Sequence, residues 1–274
     1  MTETITSLQN KLVKYTIRLQ QKAAERKSSG LFILEGRREV FMALSTSTAI
    51  KHLFVCPDIF QEDALYPIHL DSLDPNNLCF VSREVYNKMA YRENKEGVIM
   101  VGEQHTHELG ALNLGHNPLI IILEGVEKPG NLGAVMRTAD AAGADAVILA
   151  DSTTDLYNPN TIRASLGCIF TVPTALCSSQ QAIDWLNAHP LWKVSDSVIL
   201  TASLQTDASF YAAKMTGATA LVFGAEDKGL SEKWSDTTFT RVRIPMLGRI
   251  DSLNLSASVA IMAFEAIRQR KFGF

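Results

Sequence analysis

The chain has 274 residues, enough for one large domain or two of ordinary size. Hydrophobic residues make up 46% of it and charged residues 20%, and the net charge is −3, so the composition excludes a disordered chain and does not by itself indicate a nucleic-acid-binding protein. No apolar run approaches the roughly 20 residues that cross a bilayer. The start, MTETITSLQN, lacks the pattern of a secretory signal, so we expect neither a membrane segment nor export.

Four cysteines lie far apart in the sequence and form no CxxC pair. They are Cys56, Cys79, Cys168 and Cys177. We interpret them as reduced thiols of a cytoplasmic protein rather than as a disulfide framework or a zinc site. Three histidines in the polar stretch 103–117 are interpreted as solvated, so no metal site is expected.

The beginning of the chain is basic. Residues 1–45 contain eight Lys or Arg and four Asp or Glu, a local net charge of +4. Residues 6–27 are predicted to form a helix on which basic residues recur at three- and four-residue spacing and share one face, namely Lys11, Lys14, Arg18 and Lys22. The basic end of an acidic chain indicates a polyanionic partner, whereas the basic face of the helix, taken alone, fits a solvated surface helix.

Short strands and helices alternate over the next part of the chain. Strands are predicted at residues 31–34, 50–55, 78–81 and 97–101, and helices at residues 37–44 and 84–90. This alternation predicts a small α/β domain over residues 1–103. Residues 104–117 are rich in Gly and Asn without periodicity and are predicted to be an interdomain linker.

From Pro118 onward the pattern becomes that of a parallel α/β sheet. The continuous apolar run 119–123 is typical of a strand buried on both faces. Further strands are predicted at residues 146–150, 169–172, 198–202, 220–223 and 241–244. Helices are predicted at residues 132–142, with Gly143 as a left-handed cap, at 180–187, and from 254 or 256 to 270. Residues 118–274 therefore form the second predicted α/β domain.

The segment GNLGAVMRTADAAG, residues 130–143, follows the first of these strands. Gly130 and Gly133 permit a tight turn and a close approach of the backbone to a ligand. Asn131 suits a helix cap, and Arg137 lies six residues further along the same predicted helix. The segment lacks the dinucleotide-binding pattern GxGxxG, which argues against a nucleotide-dependent oxidoreductase.

Two later segments also place glycine and polar residues between a strand and a helix. In LVFGAEDKGLS, residues 221–231, Gly224 at the strand end leaves room for a ligand, while Glu226 alone also fits an acid near a helix start. In IPMLGRIDSLNLSASVAI, residues 244–261, several Asn and Ser residues precede an apolar helix. Helix capping explains one of these polar residues well, but not all of them.

Taken together and in this order, the three segments resemble the three motifs of the SpoU/TrmH branch of the knotted SPOUT RNA methyltransferases. The resemblance implies that Arg137 is the catalytic residue, that Asn131 is the asparagine of the first motif and that Glu226 organises the site. Ser252 and Asn254 are then the polar residues beside the reacting group. The implied contacts to the cofactor, S-adenosylmethionine, are Gly224, Ile244, Met246 and Leu253. The family often has Asp where this chain has Lys128.

The resemblance covers most of the chain. Residues 118–270 look like the catalytic domain, and residues 7–103 look like the L30e-like substrate-binding domain that often precedes it. The implied fold is a parallel α/β sheet with a deep trefoil knot, which periodicity cannot reveal. The family also implies a homodimer through the C-terminal domain, with the site completed near the neighbour and residues 259–270 as a candidate interface.

The implied activity is methyl transfer from S-adenosylmethionine to a ribose 2′-hydroxyl of RNA. Arg137 is expected to position a phosphate and to stabilise the alkoxide, because a guanidinium holds its proton too tightly to act as a base. Ribosomal RNA is the expected substrate, since shorter transfer-RNA relatives often lack the N-terminal extension. The alternative substrate is transfer RNA. The alternative function is that of a non-catalytic RNA-binding or ribosome-assembly factor. The residues expected to contact RNA are Lys11, Lys14, Arg18, Lys22, Arg37 and Arg38.

Overall fold

The computed structural model describes residues 4–46, 48–236 and 238–271. By their contacts these residues form two compact units. The first unit contains the chain up to Thr106 together with Asp155–Thr171, and the second contains His107–Thr154 and the chain from Val172 onward. The division is discontinuous in sequence, and the contiguous boundaries expected above stay a prediction.

The helices and strands of the described residues are numbered in chain order. The α-helices are α1 Lys11–Gln21, α2 Ala23–Ser29, α3 Arg37–Leu44, α4 Arg83–Met89, α5 Pro129–Ala142, α6 Pro159–Ser165, α7 Ser179–Ala188 and α8 Leu255–Lys271. The strands are β1 Leu31–Glu35, β2 Ile50–Val55, β3 Leu78–Phe80, β4 Val98–Glu103, β5 Leu119–Glu124, β6 Ala146–Ala150, β7 Thr174–Cys177, β8 Val198–Ala202, β9 Thr219–Phe223 and β10 Thr240–Val242.

The first unit is built on a four-stranded mixed sheet in the order β1-β4-β2-β3. Strand β4 is antiparallel to both β1 and β2, and β3 is parallel to β2. Phe32, Ile33 and Leu34 of β1 are completely buried, so this strand is covered on both faces. The small α/β layer expected from the sequence is confirmed.

The predicted helix over residues 6–27 is wrong at its start and in its middle. Helix α1 begins after Asn10, whose side-chain oxygen accepts a hydrogen bond of 2.8 Å from the backbone N–H of Leu12. Lys22 is extended, with φ −120° and ψ 112°, and separates α1 from α2. The buried Arg26 explains the break, because its Nη1 donates to the carbonyl oxygens of Leu19 and Gln20 at 2.6 and 3.1 Å and so satisfies the end of α1.

Asp155–Thr171 supplies α6 and a run of turns to the first unit. The ring of Phe32 stacks on that of Tyr157, with centroids 5.1 Å apart, and its centroid is also 5.1 Å from that of Phe170. The strand predicted at residues 169–172 is therefore wrong, because its apolar residues lie in buried turns. The missed helix α6 carried a sequence signal, an Asn-Pro pair that caps its first turn.

The second unit is built on six parallel strands in the order β10-β8-β9-β5-β6-β7. Strand β5 is buried along its whole length and pairs with β6 on one side and β9 on the other. This placement is what the continuous apolar run of residues 119–123 predicted. The predicted α/β fold with a parallel sheet is confirmed.

Helices α5 and α8 pack against each other beside this sheet, and α8 also contacts β9 and β5. Helix α5 begins with Pro129 and ends at Gly143, which adopts the predicted left-handed conformation with φ 62° and ψ 39°. Because the strands are parallel, their carboxyl ends lie along one edge of the sheet. The segments that follow β5, β9 and β10 therefore open at the same edge.

No described helix is long and apolar enough to cross a membrane. The described residues also contain no group of three His, Cys, Asp or Glu residues that could hold a metal ion. Nε2 of His105 lies 3.0 Å from the hydroxyl of Thr48, and Nδ1 of His107 lies 2.9 Å from the carbonyl oxygen of Thr174. The four cysteines named above form no disulfide bond.

Candidate active site

One residue from each of the three motif segments meets at the carboxyl edge of the second sheet. Nδ2 of Asn131 donates a hydrogen bond to Oε1 of Glu226. Nδ2 of Asn254 lies 3.1 Å from the same carboxylate oxygen and 3.2 Å from Oδ1 of Asn131. We call these three residues the amide–carboxylate cluster. Its members come from the start of α5, the loop after β9 and the start of α8.

Lys128 engages the other oxygen of this carboxylate, pairing through Nζ with Oε2 of Glu226. The hydrogen bond and the charge of Glu226 raise the pKa of the Lys128 ammonium above its ordinary value. The two oxygens of Glu226 are thus divided between one ammonium and two amides. The sequence marked Lys128 only as a departure from the family pattern. Sequence reasoning missed the pairing of Lys128 with Glu226.

Asn254 has two structural roles at once. Its Oδ1 accepts hydrogen bonds of 3.0 Å from the backbone N–H of Ser256 and 2.6 Å from the Ser256 hydroxyl, which caps the start of α8. Its Nδ2 belongs to the amide–carboxylate cluster. The capping and site interpretations of this residue are therefore compatible.

A cavity of about 320 Å³ opens where β8, β9 and β10 end. All four residues expected to contact the cofactor line it, namely Gly224, Ile244, Met246 and Leu253. Ser252 and Glu226 line it as well. Sequence reasoning missed the segment 202–205 after β8, which forms another wall. Its position at the end of a predicted parallel strand was the available signal.

The loop of residues 224–231, which we call the cofactor loop, folds back tightly on itself. The backbone N–H of Gly229 donates to the carbonyl oxygen of Ala225 at 2.8 Å. A Cβ atom on Gly224 would lie 2.0 Å from the carbonyl carbon of Gly229 and 2.2 Å from the backbone nitrogen of Leu230. No such contact is tolerated, so the fold of this loop requires glycine at position 224.

A second cavity, of about 220 Å³, adjoins the first. Ala225, Glu226, Asp227 and Leu255 line both cavities. The remaining wall of the second cavity consists of residues 125–128 and Asn131. Glu226 therefore lies between the two cavities, and two members of the amide–carboxylate cluster, Asn131 and Glu226, line the second.

The structure does not bring Arg137 or Ser252 into this cluster. Arg137 is exposed on α5, six residues beyond Asn131, which is about 9 Å along the helix axis at 1.5 Å per residue. No ion pair or hydrogen bond joins its guanidinium to the described part of this chain. The Ser252 hydroxyl donates to Oδ1 of Asp251 at 3.1 Å, at the rim of the larger cavity.

The basic residues expected to contact RNA divide into two groups in the first unit. Lys11, Lys14 and Arg18 are exposed on α1, and Lys22 is exposed at the break that follows. The Arg18 guanidinium lies 5.3 Å from the centre of the Tyr15 ring. These side chains remain accessible to a polyanion.

The second group is engaged within the chain. The Arg37 guanidinium donates to the carbonyl oxygen of Gln61 at 2.8 Å and lies 3.7 and 3.8 Å from carboxylate oxygens of Asp63 and Glu96. The Arg38 guanidinium lies 4.7 Å from the centre of the Tyr66 ring. The charge of Arg37 is therefore already balanced by neighbouring carboxylates.

Comparison with known proteins identifies both parts of the chain. Residues 118–264 match the SpoU rRNA methylase family, and residues 10–100 match an MRM3-like substrate binding domain. The chain belongs to the SpoU rRNA methylase family. The family predicted from the three motifs is confirmed.

Curated relatives of this chain include ribosomal RNA methyltransferases. The 23S rRNA (guanosine-2'-O-)-methyltransferase RlmB of Haemophilus influenzae is 36% identical over 70% of this chain and 78% of its own length. The 23S rRNA (guanosine(2553)-2'-O)-methyltransferase RlmP of Bacillus subtilis is 26% identical over 95% of this chain and 97% of its own. The similarity to RlmP thus extends across both units.

Solved structures of similar fold include proteins with bound cofactor. The AdoMet-bound rRNA methyltransferase of Sinorhizobium meliloti superimposes with a TM-score of 0.83 at 28% identity, covering 98% of each chain. The SpoU methyltransferase AviRb of Streptomyces viridochromogenes, in complex with AdoMet, gives a TM-score of 0.84 at 25% identity over 96% of this chain and 100% of that one.

Proposed function

We propose that this protein is an S-adenosylmethionine-dependent methyltransferase that modifies a ribose 2′-hydroxyl of ribosomal RNA. The observation that carries the proposal is the meeting of Asn131, Glu226 and Asn254 beside a cavity lined by all four expected cofactor residues. The ribosomal RNA substrates named for RlmB and RlmP support the substrate class.

The larger cavity suits S-adenosylmethionine in shape and chemistry. Its volume of about 320 Å³ lies in the range of small-molecule sites. Leu204, Phe223 and Ile244 offer an apolar wall for the adenine. The cavity is lined by two carboxylates, Glu226 and Asp227, and two cations, Lys228 and Arg243, which suit a ligand that carries charges of both signs.

When bound, the cofactor supplies an activated methyl group on a positively charged sulfonium. The protein must then hold the hydroxyl and stabilise negative charge as it develops on oxygen. We assign the smaller cavity to the ribose, with Asn131 and Lys128 as donors at its wall. Glu226 fixes the orientation of both groups, because its oxygens already accept hydrogen bonds from them.

We assign Arg137 to the site of a neighbouring subunit in a homodimer formed through the C-terminal unit. Two observations support this arrangement. Arg137 lies about 9 Å along the axis of α5 from Asn131, and its guanidinium pairs with no described residue. Phe264 on α8, which packs against α5, keeps 48% of its surface exposed, as expected for an interface residue. In this dimer the guanidinium binds an RNA phosphate and stabilises the alkoxide.

The remaining proposals concern the RNA, the knot and the location of the protein. The exposed basic residues of α1, Lys11, Lys14 and Arg18, are assigned to RNA contacts. A trefoil knot in the second unit is proposed from the family. A cytoplasmic location is proposed with the substrate, and cysteines without disulfide bonds agree with it.

The proposed function is tested with tritium-labelled S-adenosylmethionine and separate pools of unmodified ribosomal and transfer RNA. We expect label in the ribosomal pool, on a single ribose, and no label with Arg137→Ala. Label in transfer RNA alone would support the proposed methyl transfer but contradict ribosomal RNA as the substrate. Cofactor binding without label in either pool would indicate an assembled ribosomal particle, tested next. Absence of cofactor binding would favour a non-catalytic RNA-binding factor.

A further inference from the structure

A buried carboxylate outside the cluster lies at the end of the central strand. Glu124, the last residue of β5, is 7% exposed. Its Oε2 accepts the backbone N–H of Ser231 at 2.7 Å, and its Oε1 accepts the hydroxyls of Ser231 at 2.7 Å and Ser179 at 2.6 Å. No Lys or Arg of the described residues pairs with it. A buried charge is costly, so these three neutral donors must hold it firmly.

The position of Glu124 connects it to both cavities. Ser231 is the last residue of the cofactor loop, which lines the larger cavity. Gly125, which follows Glu124 with φ 65°, begins the segment that lines the smaller one. The hydrogen bond between Gly229 and Ala225 closes the cofactor loop on itself, so fixing the loop at Ser231 restrains all of it.

We propose that Glu124 is a positioning residue for methyl transfer, which holds the cofactor loop through Ser231 in the conformation that binds S-adenosylmethionine. This inference rests on the proposed function. Glu124 is not a catalytic residue, since it lines neither cavity and acts only through the serine. A purely structural carboxylate would stabilise the unit without any effect specific to the cofactor.

Ser179 supplies a matched control. It is the first residue of α7, is completely buried and donates to the same oxygen of Glu124 as the Ser231 hydroxyl does. Ser179→Ala and Ser231→Ala each remove one hydroxyl donor from Oε1. Only the second change loosens the cofactor loop. Both variants keep Glu124, so neither leaves the chain with a missing buried carboxylate.

The test measures the Kd for S-adenosylmethionine by calorimetry, together with amide hydrogen exchange of residues 224–231 in the cofactor-free protein. For Ser231→Ala we expect the Kd and the KM for the cofactor to rise about tenfold, which is the loss of one hydrogen bond to a charged group. Exchange in the cofactor loop should be faster in this variant. Ser179→Ala should lower the Tm about as much as Ser231→Ala does, because each removes one hydrogen bond. Its Kd should stay within about twofold of the wild-type value. Ser231→Thr, which keeps the hydroxyl, should restore the wild-type Kd.

Equal Kd values in the two alanine variants, or unchanged exchange in Ser231→Ala, would overturn the positioning role and leave Glu124 as a structural residue. Failure of the proposed function gives a different result. In that case the wild-type protein itself would not bind S-adenosylmethionine, and the assignment of Glu124 would be lost together with that of the cavity.

Discussion

Asn254 and Glu226 are joined by a hydrogen bond of 3.1 Å between the side-chain nitrogen of the first and Oε1 of the second. The oxygen of the same Asn254 amide caps α8 through Ser256. Each end of one amide thus has a separate partner. Because nitrogen and oxygen can be replaced independently, the contribution to the site can be separated from the contribution to the helix.

The first prediction compares Asn254→Ala with Asn254→Asp. Aspartate keeps the capping oxygen but replaces the donor with a charged oxygen beside Glu226. We expect Asn254→Asp to retain a Tm near that of the wild type while its kcat falls about 100-fold, as when one positioned donor is lost from an active site. Asn254→Ala should have both a lower Tm and a lower kcat than the wild type. If Asn254→Asp keeps both the kcat and the Tm of the wild type, Asn254 serves only as a helix cap.

The second prediction concerns the subunit to which Arg137 contributes. If Arg137 completes the neighbour's site, a heterodimer of Arg137→Ala and Asn254→Ala contains one site with both defects and one site with neither. Mixing the two inactive variants under conditions that exchange subunits should then recover about a quarter of the wild-type activity. The controls are the two variants taken separately through the same exchange conditions, and each should stay inactive. If the mixture stays inactive although mass spectrometry detects the heterodimer, Arg137 acts within its own subunit.

The third prediction concerns the pair formed by Lys128 and Glu226. Lys128 is exposed, so Lys128→Ala should change stability little. Lys128→Glu places a second carboxylate against Oε2 of Glu226 and should lower kcat about tenfold more than the alanine variant does, an effect that added salt reduces. Lys214→Glu is the matched control, since Lys214 forms an exposed pair with Asp196 at 3.3 Å in the same unit. A similar loss of kcat in the control would assign the effect to net charge.

The fourth prediction concerns the basic face of α1. Reversing Lys11 and Lys14 to Glu should weaken RNA binding and reduce the slope of log K against log salt by about 0.7 to 0.9 for each phosphate that the protein no longer neutralises. The control reverses Lys51 and Lys95, two lysines of the same unit that are not on α1. If both double variants bind equally well, the α1 face is only solvated.

The fifth prediction follows from a buried carboxyl in the first unit. Glu35 is completely buried and accepts the backbone N–H groups of Tyr91 at 2.8 Å and Arg92 at 3.1 Å. Burial raises its pKa above the ordinary value of 4.5, against the opposing effect of these hydrogen bonds. The folded state therefore holds this proton more tightly than the unfolded state does. The stabilisation from Glu35 is fully present below pH 4.5 and is lost as the pH rises through the folded pKa.

Glu35→Gln removes this titration. Relative to the variant, the wild-type protein should be more stable near pH 4 than near pH 7, as measured from the exchange of β1 and β4 amides across the range of about 4 to 7. Glu103→Gln, at an exposed carboxylate in the same sheet, is the control. A difference that does not change with pH would show that the pKa of Glu35 is the same in the folded and unfolded states.

Much of the second unit could be predicted because its signals are local. The buried strand β5 follows from a continuous apolar run, and the cap at Gly143 follows from the position of one glycine. The four residues expected to contact the cofactor were predicted from the resemblance to the family, and they line one cavity because parallel strands end at one edge. The pairing of Lys128 with Glu226 could not be predicted, since it depends on two loops meeting in space.

The failures in the first unit share a physical cause. The break in the predicted helix 6–27 depends on Arg26, which is buried and donates through Nε to Oδ2 of Asp155 at 2.8 Å, a contact that helical periodicity could not reveal. The apolar residues at 169–172 fit a strand by composition, but Phe170 packs on Phe32, more than a hundred residues earlier in the chain. In both places a distant contact overrides the local preference.

The inclusion of Asp155–Thr171 in the first unit has a consequence for synthesis of the protein. The chain passes between the units at residues 106/107, 154/155 and 171/172. When residue 106 leaves the ribosome, Phe32 still lacks both of its aromatic partners, Tyr157 and Phe170. Folding in order of synthesis, which multidomain chains usually follow, is therefore interrupted here. The N-terminal unit must wait, with an apolar surface open to chaperones, until residues 107–154 of the methyltransferase unit and then Asp155–Thr171 have been translated.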